Sequence, residues 1–303
     1  MAKFRRQHVL SRGGKTSFLG RTIVAALLFG FMIFGVVYLS KSSFLGFLEN
    51  DRTPINYDNP TDRYFLPNAS RGQVIHHRHY SLSYFEEAEQ AEWVAYYLTR
   101  ASLIKPNVPR SRRFKEDDAV KTRSSTYYDY RGSGFDRGHL VPAADMAFDH
   151  QAMQETFLMS NISPQKKAFN GGIWKELEEN VRDWAFKYRG LYVCSGPVFD
   201  EKPDEIGQSE VWVPDAFFKA ILDLESADQK GIGFIISNEV SYEPLMNYAV
   251  TIDELERQTG FDFFDDLLED QEESKIESSF RKQAWPISEK RFDLRNTKWN
   301  RIQ

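Results

Sequence analysis

The pattern of apolar and polar positions predicts one long apolar segment followed by a folded domain. Residues 22–39 form an uncharged, mainly apolar run of 18 residues, close to the minimum length of a helix that crosses a bilayer. Residues 40–70 are polar and contain several prolines, as is typical of a linker. We therefore expect a tail at 1–21, a transmembrane anchor at 22–39, a linker at 40–70 and a folded domain at 71–303.

Within the folded domain, the periodicity of apolar residues predicts both helices and strands. Alternation predicts a strand over 73–84, and helical spacing of Trp93, Val94, Tyr97 and Leu98 predicts a helix over 86–99. Further elements are expected at 149–157, 173–184 and 253–258 as helices, and at 191–198 and 231–236 as buried strands. The pattern shows no internal repeat, so we expect one α+β domain.

The charge distribution constrains both the orientation of the anchor and the kind of partner. The net charge is −5, which argues against a protein that coats nucleic acid with a broad basic surface. It allows an enzyme with a local basic groove, and the basic stretch 110–123 is either that groove or solvated surface. The lone Cys194 excludes an internal disulfide and a cysteine-based zinc site.

Six of the 39 basic residues precede residue 22, and none of the 44 acidic residues does. The positive-inside rule then places the tail in the cytoplasm and the folded domain across the membrane, in a bacterial periplasm or at the cell surface. Two alternatives remain. One is a cleaved signal peptide. The other is a mitochondrial targeting-and-anchor segment, with the domain facing the intermembrane space.

The candidate chemistry is concentrated between residues 136 and 178. Asp136-Arg137-Gly138-His139 provides an imidazole and a guanidinium on alternate residues, which share a face if the stretch is a strand. An imidazole suits proton removal from water near neutral pH, and a guanidinium suits a phosphate. Asn170 and Glu178 add the oxygen donors that Mg²⁺ prefers. This set fits phosphodiester hydrolysis.

Each of these residues also has a structural interpretation. A histidine in a strand is often a hydrogen-bonded core residue, and Asn170 before two glycines resembles a helix N-cap. Glu178 would lie roughly 12 Å further along a straight helix. Both residues could then bind one ion directly only if Asn170 lies off the helix end; otherwise Glu178 acts through a water. The nearby His76, His77 and His79 resemble a metal cluster but lack acidic partners nearby, so we expect them to be structural or surface residues.

The segments YRGSGFDRGHLVPAADM, FLMSNISPQ and FNGGIWKELE resemble the DNA/RNA non-specific endonuclease family, and the likeness extends over most of the chain after about residue 70. The resemblance implies a ββα-metal fold, with an antiparallel sheet flanked by helices. It also implies Mg²⁺-dependent hydrolysis of DNA and RNA, with Mn²⁺ as a substitute and 5′-phosphate ends as products. The family usually has LNQ where this chain has FNGG, so backbone mobility beside Asn170 is expected to differ.

Carried over by position, the resemblance implies a base and a metal site. His139 matches the general base that activates water, and Asn170 matches the direct Mg²⁺ ligand. Glu178 matches the acid that holds the water shell of the metal. Asp136 matches the motif aspartate that orients a water or the neighbouring backbone.

The resemblance also implies residues that contact phosphate or line the site. Arg137 matches the motif arginine near the phosphate, and Asn161 matches the asparagine that lines the site. Arg112 is our choice for an upstream phosphate-binding arginine, with Arg110 and Arg113 as close neighbours.

The expected function is a sugar-non-specific endonuclease. The expected partners are DNA and RNA substrates, the membrane at the N-terminal helix, and a second copy of the chain as a candidate homodimer. Two alternatives stay open. In an exonuclease-biased relative, the segment after Gly260 would block one end of the groove. A catalytically idle, membrane-anchored protein would only bind nucleic acid.

Overall fold

A computed structural model of the protein describes residues 65–301. No helix in this part of the chain is long and apolar enough to cross a membrane. The expected tail, the expected anchor at 22–39 and most of the expected linker lie outside the described residues. Phe65 is fully buried and packs against the ring of Tyr192 at 5.5 Å, so packing begins a few residues before Arg71.

The described chain folds into eleven strands and six α-helices. The strands are β1 (Gln73–His76), β2 (Ser81–Phe85), β3 (Gln90–Thr99), β4 (Asp136–His139), β5 (Ile162–Gln165), β6 (Gly190–Val198), β7 (Glu205–Ile206), β8 (Val211–Trp212), β9 (Ala216–Asp223), β10 (Lys230–Ser237) and β11 (Ala249–Val250). The helices are α1 (Arg100–Leu103), α2 (His150–Glu155), α3 (Lys175–Tyr188), α4 (Ile252–Thr259), α5 (Asp270–Glu277) and α6 (Glu289–Thr297).

A seven-stranded antiparallel sheet in the order β1-β2-β3-β6-β9-β10-β11 forms the centre of the fold. Both of its faces are buried, and successive residues of a strand belong to different cores because side chains alternate across the sheet. On β9, Phe217 packs in the core that contains Leu177 of α3, whereas Phe218 packs in the core that contains Leu255 of α4. The helices α3 and α4 therefore cover opposite faces.

The predicted helix over 86–99 is wrong, because β3 is the long central strand of this region. Both faces of β3 are covered, so Trp93 and Val94 are each fully buried although they point in opposite directions. A strand with two buried faces loses the alternation of apolar and polar residues, and its apolar run then imitates helical spacing. The predicted strand over 73–84 is in fact a hairpin of β1 and β2.

The other predicted elements are confirmed within a few residues. The helix expected at 149–157 is α2, which begins where the side chain of Asp149 accepts hydrogen bonds from the backbone of Gln151 and Ala152. The elements expected at 173–184, 191–198, 231–236 and 253–258 are α3, β6, β10 and α4. The mixed α+β class is also confirmed, with an antiparallel sheet flanked by helices.

A small hairpin and a helix, β4-β5-α3, lie beside the central sheet. In the hairpin, Asp136 pairs with Gln165 and His139 pairs with Ile162. Gly138 faces the side chain of Gln165 so closely that a Cβ atom would lie 2.1 Å from its Cδ atom. The residues Phe169–Trp174 form an irregular helical turn that leads into α3. The strand–strand–helix order expected for the site is therefore present.

The C-terminal part of the chain packs against the start of α3. Arg295 of α6 is fully buried, and its Nε atom donates to the Oε2 atom of Glu176 at 2.6 Å. Its other nitrogens donate to the backbone oxygens of Ser241 and Glu243. Asn300 donates to the same oxygen of Ser241 at 2.7 Å. These polar contacts fix the end of the described chain onto α3.

Candidate active site

Strand β4 presents Arg137 and His139 on one face, as strand alternation predicts. Phe114 contacts both side chains, with its ring 5.2 Å from the guanidinium carbon of Arg137 and 5.8 Å from the imidazole of His139. Arg137 also lies over the ring of Tyr127 at 4.4 Å. The rings of Phe114 and Tyr127 hold the two side chains next to each other, so both could contact one phosphate.

His139 is neutral at physiological pH. Burial and the positive charge of Arg110 lower the pKa of its imidazole to about 3. The ring packs edge-on against Phe157 at 4.7 Å. Its Nε2 atom is buried and has no hydrogen-bond partner among the described residues, which differs from the satisfied core histidine considered above. An uncharged ring nitrogen without a partner can accept a proton.

Asn170 is held by Asp136. Its Nδ2 atom donates to the Oδ2 atom of Asp136 at 3.0 Å, and a carboxylate only accepts hydrogen bonds. The amide nitrogen therefore faces Asp136, which leaves the Oδ1 atom for another partner. Asn170 is not an N-cap, because it lies inside the irregular turn and the cap positions are Ala168 and Trp174.

The chain bends between Asn170 and Glu178. Gly172 has φ −107° and ψ −111°, which interrupts the helical path. A Cβ atom at Gly172 would lie 2.7 Å from the Oδ1 atom of Asn300, so the bend is packed against the C-terminal part of the chain. The separation expected along a straight helix therefore does not apply to Asn170 and Glu178.

Glu178 is half-buried and lies beside the buried charges of Asp145 and Lys219. Burial raises the pKa of its carboxyl to about 7, although Arg182 and Lys219 act in the opposite direction. Arg182 donates to Asp145 at 2.7 Å. Lys219 of β9 is fully buried, and its Nζ atom has no hydrogen-bond partner among the described residues. The sequence analysis missed Lys219, whose only signal is a single charge inside an apolar strand.

Arg110, rather than Arg112, lies next to the base and the acid. Its guanidinium carbon is 5.2 Å from the ring of Phe157, which also contacts His139. Its charge lowers the pKa of His139 and that of Glu178. Both arginines are exposed, but Arg112 contacts no aromatic ring and forms no ion pair within residues 65–301. The positions of the two arginines therefore favour Arg110 as the arginine at the site.

Asn161 faces inward and supports the strand that carries His139. It is fully buried, and its Nδ2 atom donates to the backbone oxygens of Val141 at 3.1 Å and Thr156 at 2.9 Å. Its Oδ1 atom accepts from the backbone nitrogen of Val141 at 2.9 Å. The amide is thus occupied by backbone groups just after His139, which indicates a positioning role.

The three neighbouring histidines do not converge on one point. His77 contacts Asp117 at 3.0 Å, and His76 contacts Ser81 at 2.9 Å. His79 packs edge-on against Phe148 at 5.0 Å. Each has its own structural contact, as expected.

A basic and aromatic surface adjoins Phe114. A shallow depression there is lined by Arg113, Lys115, Tyr127 and Tyr128, among others. Tyr128 is 73% exposed. Exposed cations without acidic partners in the described part of the chain extend along the basic stretch 110–123 and a little beyond it: Arg112, Arg113, Lys115, Lys121, Arg123 and Arg131. Cations with interleaved aromatic rings suit a nucleic-acid backbone and its bases.

Comparison with known proteins identifies the family of the chain. The family model described as DNA/RNA non-specific endonuclease matches residues 58–270. The chain belongs to this family. It is therefore a nuclease, an enzyme that hydrolyses nucleic acid.

Relatives and a solved structure agree with this assignment. Mitochondrial endonuclease G of Homo sapiens is 34% identical over 68% of this chain and 73% of its own length. Nuclease C1 of Cunninghamella echinulata is 37% identical over 62% of this chain and 81% of its own. A crystal structure of an EndoG/EndoGI complex, titled for the mechanism of EndoG inhibition, matches with a TM-score of 0.62 and 34% identity. The match covers 68% of this chain and 90% of that one.

Proposed function

We propose that this nuclease is a Mg²⁺-dependent, sugar-non-specific endonuclease that cleaves DNA and RNA and leaves 5′-phosphate ends. The observation that carries the proposal is His139, a neutral imidazole whose buried Nε2 atom has no partner and which lies beside Arg110. A base, a cation for the phosphate and a nearby carboxyl are the groups that phosphodiester hydrolysis requires.

The residues near His139 fit a hard divalent cation. The amide oxygen of Asn170 is left available by the hydrogen bond to Asp136, and Glu178 adds a carboxylate. Oxygen donors of this kind, few in number, suit Mg²⁺, which keeps several of its waters, and Mn²⁺ is expected to substitute. When bound, the ion would neutralise a non-bridging phosphate oxygen and assist the leaving oxygen.

The side chains then divide the work of one displacement. His139 takes the proton from the attacking water. Arg110 and Arg137 offer guanidinium groups to the charge that develops on the phosphate. Asp136 orients Asn170, and Asn161 fixes the backbone after His139. In this proposal the phosphate-binding role moves from Arg112 to Arg110.

A plasmid-nicking assay on the full chain tests the proposal. With Mg²⁺ we expect supercoiled DNA to become open circles and then linear fragments, and RNA of equal length to be degraded as well. EDTA should stop both reactions, and Mn²⁺ should restore them. Activity that persists in EDTA would contradict the metal requirement. Binding without cleavage would favour the idle nucleic-acid-binding alternative.

The same assay separates endonuclease from exonuclease action, because a closed circle offers no ends. Endonuclease action is supported by the segment after Gly260. Phe261, Phe263 and Phe264 pack into the core on the sheet face opposite α3, away from the helix that carries Glu178. An exonuclease-biased enzyme would leave closed circles intact and digest linear DNA from its ends.

We propose a mitochondrial location for the enzyme, with a membrane anchor at 22–39. Relatives named as mitochondrial support it, among them the nuclease of Saccharomyces cerevisiae at 34% identity. The basic, acid-free first 21 residues also fit this targeting. Protease treatment of intact mitochondria and of mitoplasts tests it, because a domain in the intermembrane space is digested only in mitoplasts. A periplasmic domain in bacterial spheroplasts is the competing outcome.

A further inference from the structure

A second group of acidic side chains lies far from the proposed chemistry in the fold. Asp253 and Glu256 belong to α4, and Glu277 is the last residue of α5. One carboxylate oxygen from each lies within 4.8 Å of the other two. Both helices pack on the sheet face opposite α3, since Ile252, Leu255 and Ile276 belong to that core.

Glu277 is the unusual member of this group. It is only 5% exposed, and its Oε1 atom is buried and accepts no hydrogen bond from the described residues. Neither Glu277 nor its two partners forms an ion pair with a Lys, Arg or His within residues 65–301. An uncompensated buried carboxylate is costly, so either a proton or a cation must neutralise it.

We propose that Asp253, Glu256 and Glu277 form a Ca²⁺ site that ties α4 to α5 and is separate from the catalytic centre. Carboxylate oxygens at 2.3–2.6 Å suit Ca²⁺, so ligands on opposite sides of the ion would be up to about 5 Å apart. The three oxygens lie within 4.8 Å of one another, which is inside this limit. Ca²⁺ also accepts a flexible arrangement of about six to eight oxygen ligands, whereas Mg²⁺ demands near-ideal octahedral geometry.

Further acids around the site increase its attraction for a divalent cation. Glu273 of α5 has an Oε1 atom that is also buried and without a hydrogen-bond partner. Burial and the neighbouring carboxylates raise the pKa of Glu277 to about 9. Without a cation, a proton would therefore neutralise this carboxylate. Binding of Ca²⁺ would replace that proton and hold the two helices together. The site therefore contributes to stability rather than to the chemical step.

Thermal unfolding of the full chain at pH 8 tests the site. After treatment with EDTA and dialysis, CaCl₂ at about 100 times its Kd should raise Tm by about 5 °C. Glu277→Gln should abolish this rise, and Asp253→Asn should weaken it. Glu272→Gln changes an exposed acid on the same helix and should keep the full rise. Asn170→Ala should keep it too, because the catalytic metal site is elsewhere.

Two outcomes would overturn the proposal. A wild-type Tm that falls as the pH rises and does not respond to Ca²⁺ would mean that a proton alone neutralises the group. An equal Ca²⁺ response in Glu277→Gln would place the ion at another site. Folding of Glu277→Gln is not a difficulty, because an amide removes the free-energy cost of keeping a buried carboxyl protonated at pH 8, and its Tm in EDTA should exceed that of the wild type.

Discussion

At the scale of single residues, the neutral state of His139 has one advantage and one disadvantage for the proposed general base. Burial and Arg110 keep the imidazole uncharged, so it is ready to accept a proton, but at about pKa 3 it is a weak base. In the proposed mechanism, a bound cation would lower the pKa of the attacking water, so the proposed metal site at Asn170 and Glu178 would compensate for the weakness of the base. A base this weak can act only together with the neighbouring arginine and the proposed metal ligands.

The replacement His139→Ala should lower kcat by about 10²- to 10⁴-fold, the usual range for loss of a general base. Binding of DNA and the Tm should stay close to wild type. Steady-state kinetics with a fluorogenic oligonucleotide measures the effect. His150→Ala, at an exposed position on α2, is the matched control and should be fully active. Wild-type turnover of His139→Ala would remove this residue from the mechanism.

Arg110 and Arg112 offer a paired test of the phosphate contact. Arg110→Ala should lower kcat by about 10²- to 10³-fold, as when one preorganised donor to a developing charge is lost. Its KM should change less, because the interaction strengthens in the transition state. Arg112→Ala should keep kcat and weaken substrate binding only slightly. The reverse result would return the role to Arg112.

Glu178 makes stability depend on pH in a predictable direction. Its pKa in the folded protein, about 7, lies above the ordinary value of 4.5. Stability from such a group is complete below the unfolded pKa and is lost as the pH rises through the folded pKa. In EDTA, the Tm of the wild type should therefore fall relative to Glu178→Gln between about pH 4.5 and pH 7.

Differential scanning fluorimetry across that pH range measures the difference. Glu116→Gln, which removes an exposed carboxyl, should follow the wild type. If Glu178→Gln and the wild type change in parallel, the carboxyl is already ionised well below pH 7.

At the scale of secondary-structure elements, the bend before α3 determines where Asn170 lies. Gly171 and Gly172 differ sharply in their surroundings. A Cβ atom at Gly171 would have no atom within 4 Å, whereas one at Gly172 would lie 2.7 Å from Asn300. Alanine substitutions at the two positions therefore distinguish the effect of disturbing the bend from the general effect of replacing a glycine.

We expect Gly172→Ala to lower both Tm and nuclease activity, because the added methyl group must displace Asn300 or straighten the turn. Gly171→Ala should keep activity and have an equal or slightly higher Tm, since alanine favours a helical backbone. Thermal unfolding and the nicking assay on both variants check this. Equal behaviour of the two variants would mean that the bend is not required.

The sequence was sufficient to predict the family, the mixed α+β class and most elements around the proposed site. The DRGH segment is a short strand bounded by turns, so local pattern specifies it. Strand β3 was mistaken for a helix because its two faces are covered by parts of the chain distant in sequence. The same reason hid β9 and Lys219. The periodicity of apolar residues identifies an element with one buried face. It does not distinguish a strand from a helix when both faces of the strand are buried.

The choice between Arg110 and Arg112 was also beyond the sequence. Both lie in a loop without periodicity, where the direction of a side chain depends on what it packs against. Phe157, from the end of another segment, contacts Arg110. Asn161 illustrates the opposite case, because its motif predicted that it lies near the site but not that its amide is fully used by the backbone.

At the scale of the whole molecule, charge is divided between regions. The exposed cations of residues 110–131 adjoin the site, whereas acids are concentrated on α4 and α5, on the other side of the sheet. Binding should therefore involve few phosphates, despite the net charge of −5. Neutralising two to four phosphates of duplex DNA predicts a log–log salt slope of about −2 to −4.

Filter binding with EDTA present, at several salt concentrations, measures the slope. Lys115→Ala should weaken binding and make the slope less negative by about 0.9, corresponding to one phosphate. Lys275→Ala, an exposed change on α5, should leave the slope as it is. A slope near zero in the wild type would mean that DNA is not held by this basic surface.

The contacts of Arg295 and Asn300 have a consequence for biosynthesis. A chain emerging from the ribosome presents His139 and Glu178 well before residues 295–300 are available to fix α3 and the bend at Gly172. Because residues 295–300 are translated after the residues that they hold in place, a nascent chain that lacks them should be inert towards the messenger RNA that encodes it. Ribosome-bound chains stalled before residue 290 should show no nuclease activity, whereas chains in which residues 295–300 have emerged should be active.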